Sequence, residues 1–373
     1  MRTPLLTLII LMMVHFVFGQ TTGTTTSSAT SFNPTIKMKG LVHARYEASL
    51  TDSVDAQGKV SATPVSSNFR LRRVELRSDI KLNDHWSGVI RVQLPELKSS
   101  GSTFGKVIEL AYFEYKWVDQ FSVRGGQFKE PFELDELTSH EDLRMIDRGP
   151  TSRLFVNNYY SSYNPGLMVF GTFLKKSTPL SYYAGVFNGS DRSVNFDVNY
   201  GKDYVGRIEF SPIKSLRLGI NAQVNGIEKG ITANAFGADA SLQQSLNDKM
   251  KLILEGEYIT GNNVLSFTGS SDTSLEMKDF RMSGYFAQAL LRYSINMPGL
   301  QTLEIGGRYE HTDPLDTNGG DDFNTITGGI GFIFLPDNDV RLQLNVVHTD
   351  YKEETEGVVK NNTMFVAQLQ LKI

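Results

Sequence analysis

The sequence predicts an all-β protein, a transmembrane antiparallel β-barrel of about 16 strands. Polar and apolar side chains alternate with a period of two residues from Thr35 to the last residue. No apolar run after residue 19 is long enough for a membrane-spanning helix, which needs about 18 residues. Short and long polar connections alternate between the candidate strands. Together these observations favour strands over helices as the membrane-crossing elements.

The alternation is clearest in "LRLGINAQVN", where Leu218, Ile220 and Val224 lie on one face and Asn221 and Gln223 on the other. Most candidate strands have about ten residues or more, the length that a tilted strand needs to cross a bilayer. They are predicted at 35–47, 68–82, 86–94, 106–117, 120–128, 160–174, 179–188, 202–211, 215–225, 232–246, 248–260, 281–295, 301–311, 322–335, 339–351 and 361–373.

The connections differ in length in the way expected of a barrel. Tight turns are predicted at 212–215 and 336–339, and long polar loops at 50–67, 95–105, 261–280 and 311–321. Tight turns at one end and long loops at the other are typical of outer-membrane barrels. A soluble β-sandwich also alternates, but a single domain of this many strands would be unusually large.

The N-terminal residues indicate export. Residues 1–19 combine Arg2, an apolar segment and a small residue, Gly19, before Gln20, which predicts a signal peptide; a membrane anchor is the alternative. Residues 20–34 are rich in Thr and Ser and predict a flexible leader. The barrel is then expected to span residues 35–373.

Composition excludes several functional classes. The chain has 41 acidic and 37 basic residues, whereas nucleic-acid-binding proteins usually carry a basic excess. It has no cysteine, so disulfides and thiolate metal sites are excluded. No two histidines have the spacing of a paired metal ligand, as in H-x-x-x-H. We therefore expect no nucleic-acid partner, no metal, no cofactor and no catalysis.

The segment "NFRLRRVELRSDIKLN" at 68–83 is unusually rich in arginine for a strand. Apolar residues change face between Leu71 and Val74, which predicts a β-bulge at Arg72 and Arg73. An arginine at mid-depth in lipid costs about 2–4 kcal/mol, so these side chains are expected to face a water-filled lumen. The predicted lumen arginines are Arg70, Arg72, Arg73, Arg77 and, on the next strand, Arg91.

An aqueous lumen lined by arginine favours anions, because fixed cations raise the local anion concentration. The guanidinium group also suits phosphate and carboxylate oxygens. The alternative for each individual arginine is an ion pair with an inward carboxylate that only stiffens the wall.

One region resembles a known family. "VIELAYFEYKW" at 107–117 and "FSVRGGQFKEPFELDELTSHEDLRMIDRG" at 121–149 resemble the strands and constriction loop of the phosphate-selective porin O and P family. The resemblance implies a sixteen-stranded, usually trimeric outer-membrane porin whose third long loop narrows the lumen. Residues 129–158 form the longest segment without a predicted strand and fit this loop, and residues 135–148 are predicted to form a short helix in it. Lys129, Arg144 and Arg148 on the loop are further candidate selectivity residues.

Two departures from the family are visible. Glu133 occupies a position where glycine is common in the family, and the loop is acidic rather than lysine-rich. The loop acids are Glu130, Glu133, Asp135, Glu136, Glu141 and Asp142.

These features predict a bacterial outer-membrane porin. It would pass small solutes by diffusion and prefer anions such as phosphate, and its partners would be outer-membrane lipid and two further copies of itself. An exported, non-conducting β-rich binding or adhesion protein is the alternative.

Overall fold

A computed structural model describes residues 34–56, 58–95, 107–160, 163–189, 201–228, 230–317, 320–353 and 359–373. The predicted signal peptide, 1–19, and residues 20–33 of the predicted leader lie outside the described residues.

The described residues form sixteen strands and three short α-helices. The strands β1–β16 are Thr35–Ser49, Ser67–Lys81, Trp86–Gln93, Ile108–Val118, Phe121–Lys129, Tyr163–Phe173, Leu180–Phe187, Asp203–Ile213, Leu216–Glu228, Ile231–Ser245, Met250–Asn262, Arg281–Met297, Leu300–Asp313, Phe323–Ile333, Val340–Tyr351 and Asn361–Lys372. The helices α1–α3 are Leu134–Leu137, Pro150–Asn157 and Val264–Gly269, and 3₁₀ turns lie at His140–Asp142, Met277–Asp279 and Pro336–Asn338.

Each strand pairs antiparallel with its sequence neighbours, and β1 closes the barrel by pairing with β16. That closing seam runs from Leu41 opposite Lys372 to Ser49 opposite Met364. The predicted fold class and all sixteen predicted strands are confirmed, with ends displaced by a few residues. Closure leaves no strand edge unpaired, which a bilayer requires because its core offers no hydrogen-bond partner.

The barrel is apolar outside and polar inside. On β9, Leu218 and Ile220 are 41% and 49% exposed, whereas Asn221 and Gln223 are 2% and 1% exposed. A water-soluble barrel would bury the leucine and isoleucine instead. The pattern therefore places lipid against the outer wall.

The predicted bulge is confirmed. His43 on β1 faces Arg73, but Ala44 faces Leu71, so Arg72 is the additional residue on β2. Phe69 and Leu71 are exposed on the outer wall, and Arg73 and Glu75 are buried inside. The bulge thus keeps the polar face of β2 inward on both sides of Arg72.

The long segment between β5 and β6 has less helix than predicted. The predicted helix over 135–148 is replaced by α1 and the 3₁₀ turn at 140–142, and the longer helix α2 begins after Gly149. A wall side chain contributes to the difference, because Arg341 bonds the backbone oxygen of Leu143, which a continuous helix would have paired internally. α2 begins with Pro150, whose fixed φ suits a first helical position.

Across the described ranges, no helix combines the length and apolarity that crossing a bilayer requires.

Candidate functional site

The candidate site is the lumen around the segment 130–160, here called the inserted loop. The N-terminus of each of its two helices is held by a carboxylate of the wall. Glu257 on β11 accepts hydrogen bonds from the backbone N–H groups of Leu134 (2.6 Å) and Asp135 (3.2 Å). Glu310 on β13 accepts one from Thr151 at 2.7 Å, in the first turn of α2. These unpaired helical donors therefore find acceptors on the wall rather than in water.

An aromatic cluster packs the same loop. Phe132, Phe155 and Tyr160 are fully buried, with ring centroids 5.6–6.4 Å apart. The Tyr160 hydroxyl donates to the backbone oxygens of Asn234 and Asn262, each at 3.2 Å. The loop is thus packed as well as hydrogen-bonded to the wall.

Several acids of the inserted loop pair with cations. Asp135 lies 3.0 Å from Arg308 of β13. Glu136 binds Lys129 at 2.7 Å and Arg148 at 2.8 Å. Cations therefore compensate Asp135 and Glu136, which reduces the negative charge that the loop presents to the arginines of β2.

Three arginines surround the carboxylate of Asp147. Its carboxylate lies 2.5 Å from Arg45 Nη1 and 3.8 Å from both Arg72 and Arg73. Desolvation alone would raise the pKa of Asp147, but Arg45 and Arg72 hold that pKa well below its usual range. One loop carboxylate thus links the inserted loop to β1 and β2.

The eight predicted selectivity residues fall into two groups. Three have partly exposed side chains: Arg70 is 40%, Arg72 36% and Arg77 32% exposed. The other five are largely buried and contact carboxylates of the wall or of the inserted loop. Their partners are Asp147 for Arg73, Glu109 for Arg91, Glu136 for Lys129 and Arg148, and Glu255 for Arg144. Lys129 belongs to the end of β5 rather than to the loop.

The inserted loop lies between two open cavities. The first, the long-loop cavity, has a volume of about 740 Å³. Its lining among the described residues contains six cations and three acids: Lys59, Arg70, Arg72, Arg148, Arg153 and Arg308, with Glu47, Asp147 and Glu310. It opens toward the long connections, because Gly58 and Lys59 of the first loop contribute to it.

The second cavity, the short-turn cavity, has about 660 Å³ and reaches the turn between β8 and β9. Five cations and two acids among the described residues line it: Arg144, Lys214, Arg217, Lys251 and Arg292, with Asp142 and Glu255. Both cavities therefore carry a cationic excess, although the whole chain has a formal charge of −4.

Arg153 was missed by sequence reasoning. It lies on α2, is exposed, and forms no ion pair within the described part of the chain. The signal that could have found it is Gly149-Pro150, which marks the start of a helix and so places Arg153 on the first turn of that helix.

Glu133 precedes α1 in a strained environment. Its φ is +68°, a left-handed conformation that favours glycine, and its side chain is 1% exposed. Within the described residues its carboxylate oxygens make no hydrogen bond beyond a weak interaction with Ser152. Burial and then the neighbouring Glu257 raise the pKa of Glu133 well above its ordinary value.

The fold also assembles three groups able to bind a metal. Glu75 of β2, Glu109 of β4 and His140 of the inserted loop are buried, and their ligand atoms lie within 4.8 Å of one another. No spacing along the sequence indicated this cluster, because its members come from three separate elements.

A closed sixteen-stranded barrel with an apolar outer wall and a charged interior is an outer-membrane channel of bacteria. The chain belongs to the phosphate-selective porin O and P family, whose model matches residues 45–373. Family and fold indicate a channel rather than an enzyme. No curated protein matches the sequence significantly.

Solved porins share the fold. An anion-selective porin from Comamonas acidovorans has 10% identity and a TM-score of 0.57, with 91% of this chain and 100% of that chain covered. The channel DcaP of Acinetobacter baumannii has 14% identity and a TM-score of 0.55, with 91% and 98% covered. OmpT of Vibrio cholerae in a trimer form has 10% identity and a TM-score of 0.56, with 91% and 99% covered.

Proposed function

We propose that the protein is a passive diffusion channel for small solutes that prefers anions, with phosphate among them. The observation that carries the proposal is the cationic excess on both sides of the inserted loop. A solute crossing the barrel meets two cation-rich compartments in succession. Fixed positive charge in such compartments raises anion concentration and lowers the barrier to anion entry.

The residues assigned to this selectivity are those whose charge is least compensated. Arg73, Arg91, Lys129, Arg144 and Arg148 lie close to carboxylates, and their main role in this proposal is to hold the loop and wall together. Arg72 and Arg73 both lie 3.8 Å from Asp147, but the Arg72 side chain is 36% exposed and that of Arg73 only 4%, so Arg72 presents its charge to the lumen. Arg153 is exposed and has no ion pair in the described residues. Arg70 and Arg77 contribute less, since Glu47 and Asp79 lie 2.7 and 2.6 Å from them.

Replacing Arg72 and Arg153 together by alanine is expected to reduce the preference for chloride over potassium. A unit charge about 6 Å from a permeating ion in water contributes about 0.4–0.7 kcal/mol after screening, or about two- to threefold per charge. Because each charge attracts chloride and repels potassium by that amount, the permeability ratio should fall about 4- to 9-fold per charge and about 16- to 80-fold in the double variant. Reversal potential across a salt gradient in a planar bilayer measures the ratio.

The control is Lys278→Ala, which removes an exposed cation 2.8 Å from Glu276 in the β11–β12 connection. It should leave the ratio unchanged. An unaltered ratio in the Arg72/Arg153 variant would remove these residues from the proposal. Absence of conductance steps from the folded wild-type protein would instead favour the non-conducting alternative.

The inserted loop is proposed as the constriction of this channel. It separates the two cavities and is bonded to β1, β11, β13 and β15. Its anchors span the barrel, so the remaining passage must run beside it. Residues 1–19 are proposed as the export signal for this membrane.

We also propose a homotrimer, on the basis of the family resemblance and of the solved neighbour described as a trimer. Native mass spectrometry from detergent should give three times the mass of one barrel, and heating should release single barrels. A monomer mass before heating would contradict this assembly.

A further inference from the structure

A buried cluster of metal-ligating groups lies where the inserted loop meets the wall. His140 Nδ1 is 2.5 Å from Glu75 Oε1, and Glu109 completes a set of three within 4.8 Å. The three side chains are 7%, 4% and 2% exposed. They are fixed by β2, β4 and the 3₁₀ turn of the loop, so the geometry does not depend on one flexible segment.

We infer that Glu75, Glu109 and His140 form a binding site for a first-row divalent metal ion such as Zn²⁺. One imidazole nitrogen and two carboxylate oxygens are a donor set that Zn²⁺, Co²⁺ and Mn²⁺ accept. Tetrahedral coordination at about 2.0–2.2 Å brings ligand atoms to about 3.4 Å from each other. The present spacing therefore requires only about 1 Å of side-chain movement.

Binding would change the local bonds in a defined way. The metal forms bonds to His140 Nδ1, Glu75 Oε1 and a Glu109 oxygen, and the proton shared between His140 and Glu75 leaves to solvent. A cavity of about 170 Å³ borders His140 and connects its imidazole to the lumen, which gives the released proton a path to solvent. The bound ion would link the loop to two strands through coordination bonds.

Several cations oppose the site. Arg77, Arg124, Lys129 and Arg148 line the cavity beside His140, and Arg91 is the cation that contacts both carboxylates. It lies 3.0 Å from Glu109 and 3.7 Å from Glu75, and it also donates to the Tyr163 hydroxyl at 2.7 Å. When Glu109 turns toward a metal, Arg91 retains Tyr163 as a partner. Its charge still competes with the ion, so Arg91→Gln should tighten metal binding about tenfold.

Titration of the detergent-solubilised full chain with ZnCl₂ in a calorimeter tests the site. One Zn²⁺ should bind per barrel, and His140→Ala and Glu109→Gln should each weaken binding about 10- to 100-fold. His311→Ala is the matched control, since that half-buried histidine bonds Asn324 on β14 and should leave affinity unchanged. Heat-modifiable gel migration checks that each variant forms a barrel.

X-ray absorption on the zinc-loaded protein gives an independent readout. One imidazole nitrogen and carboxylate oxygens at about 2.0–2.2 Å are expected. Wild-type protein that binds no Zn²⁺, or His140→Ala and Glu109→Gln variants that bind it as tightly as wild type, would overturn the site. Because the readout is binding and not conductance, its failure is independent of anion preference.

Discussion

Asp147→Ala is expected to lower the free energy of unfolding by about 3 kcal/mol. The substitution removes the carboxylate shared by Arg45, Arg72 and Arg73. Breaking a buried ion pair from one side typically costs about 3–5 kcal/mol, because the remaining charge stays desolvated. The lower end applies here for two reasons. The Asp147 side chain is 35% exposed, and Arg45 keeps Glu47 at 3.2 Å and Gln368 at 2.7 Å.

Denaturant unfolding in lipid vesicles, followed by the fluorescence of Trp86 and Trp117 in β3 and β4, measures this loss. Asp142→Ala is the matched control, because Asp142 is an exposed acid of the same loop that lines the short-turn cavity. It should change the unfolding free energy by less than about 0.5 kcal/mol. Equal losses in the two variants would show that Asp147 does not anchor the loop.

Asp147→Ala also has a consequence for permeation that differs from its effect on stability. The long-loop cavity loses one of its three acids among the described residues. If the loop stays in place, chloride preference rises, since Arg72 and Arg73 lose their nearest carboxylate. If the loop leaves the lumen, conductance rises and selectivity falls, because a wider aqueous path screens the wall charges.

The strands could be predicted because the bilayer imposes a simple rule on each one. An outward residue must be apolar and an inward residue can be polar. The burial of each residue of β9 can therefore be predicted directly from "LRLGINAQVN". The same rule located the bulge, because a change of phase between Leu71 and Val74 has no other explanation in a strand. Local sequence was sufficient to predict the structure wherever lipid on one face and water on the other decided the residue type.

The partners of the lumen charges could not be predicted, since they come from distant parts of the chain. Arg45 meets Asp147 and Arg308 meets Asp135 only after the barrel has closed around the loop. The loop conformation was inaccessible for the same reason, because wall side chains satisfy its backbone. Sequence reasoning could name the cations of the lumen but not distinguish neutralised ones from free ones.

Glu133→Gly is expected to stabilise the folded barrel by about 2–4 kcal/mol at pH 8. Glycine removes about 1–2 kcal/mol of left-handed backbone strain at φ +68°. It also removes a buried carboxylate with hardly any hydrogen bonding, which costs a few kcal/mol when ionised. Glycine also costs about 0.5–1 kcal/mol of stability, because it gives the unfolded chain more conformational freedom. This cost is smaller than the two gains together.

The pH dependence separates strain from charge. Because the pKa of Glu133 is raised in the folded state, the folded protein binds its proton more tightly than the unfolded chain. The stability that protonated Glu133 contributes is therefore fully present below the ordinary glutamate pKa of about 4.3. It is lost as the pH rises through the pKa of Glu133 in the folded state. Of the facing acids, Asp135 is paired with Arg308, Glu136 is paired with Lys129 and Arg148, and Glu257 accepts backbone N–H groups.

Glu133→Gln keeps the strained backbone and removes the titration, so it should flatten the pH profile while gaining less stability than Glu133→Gly. Denaturant unfolding at a series of pH values between 4 and 9 measures both effects. A wild-type profile with the same slope as the glutamine variant would show that folding does not raise the pKa of Glu133. Equal stability of the glycine and glutamine variants would assign the whole cost to charge, because only glycine relieves the backbone.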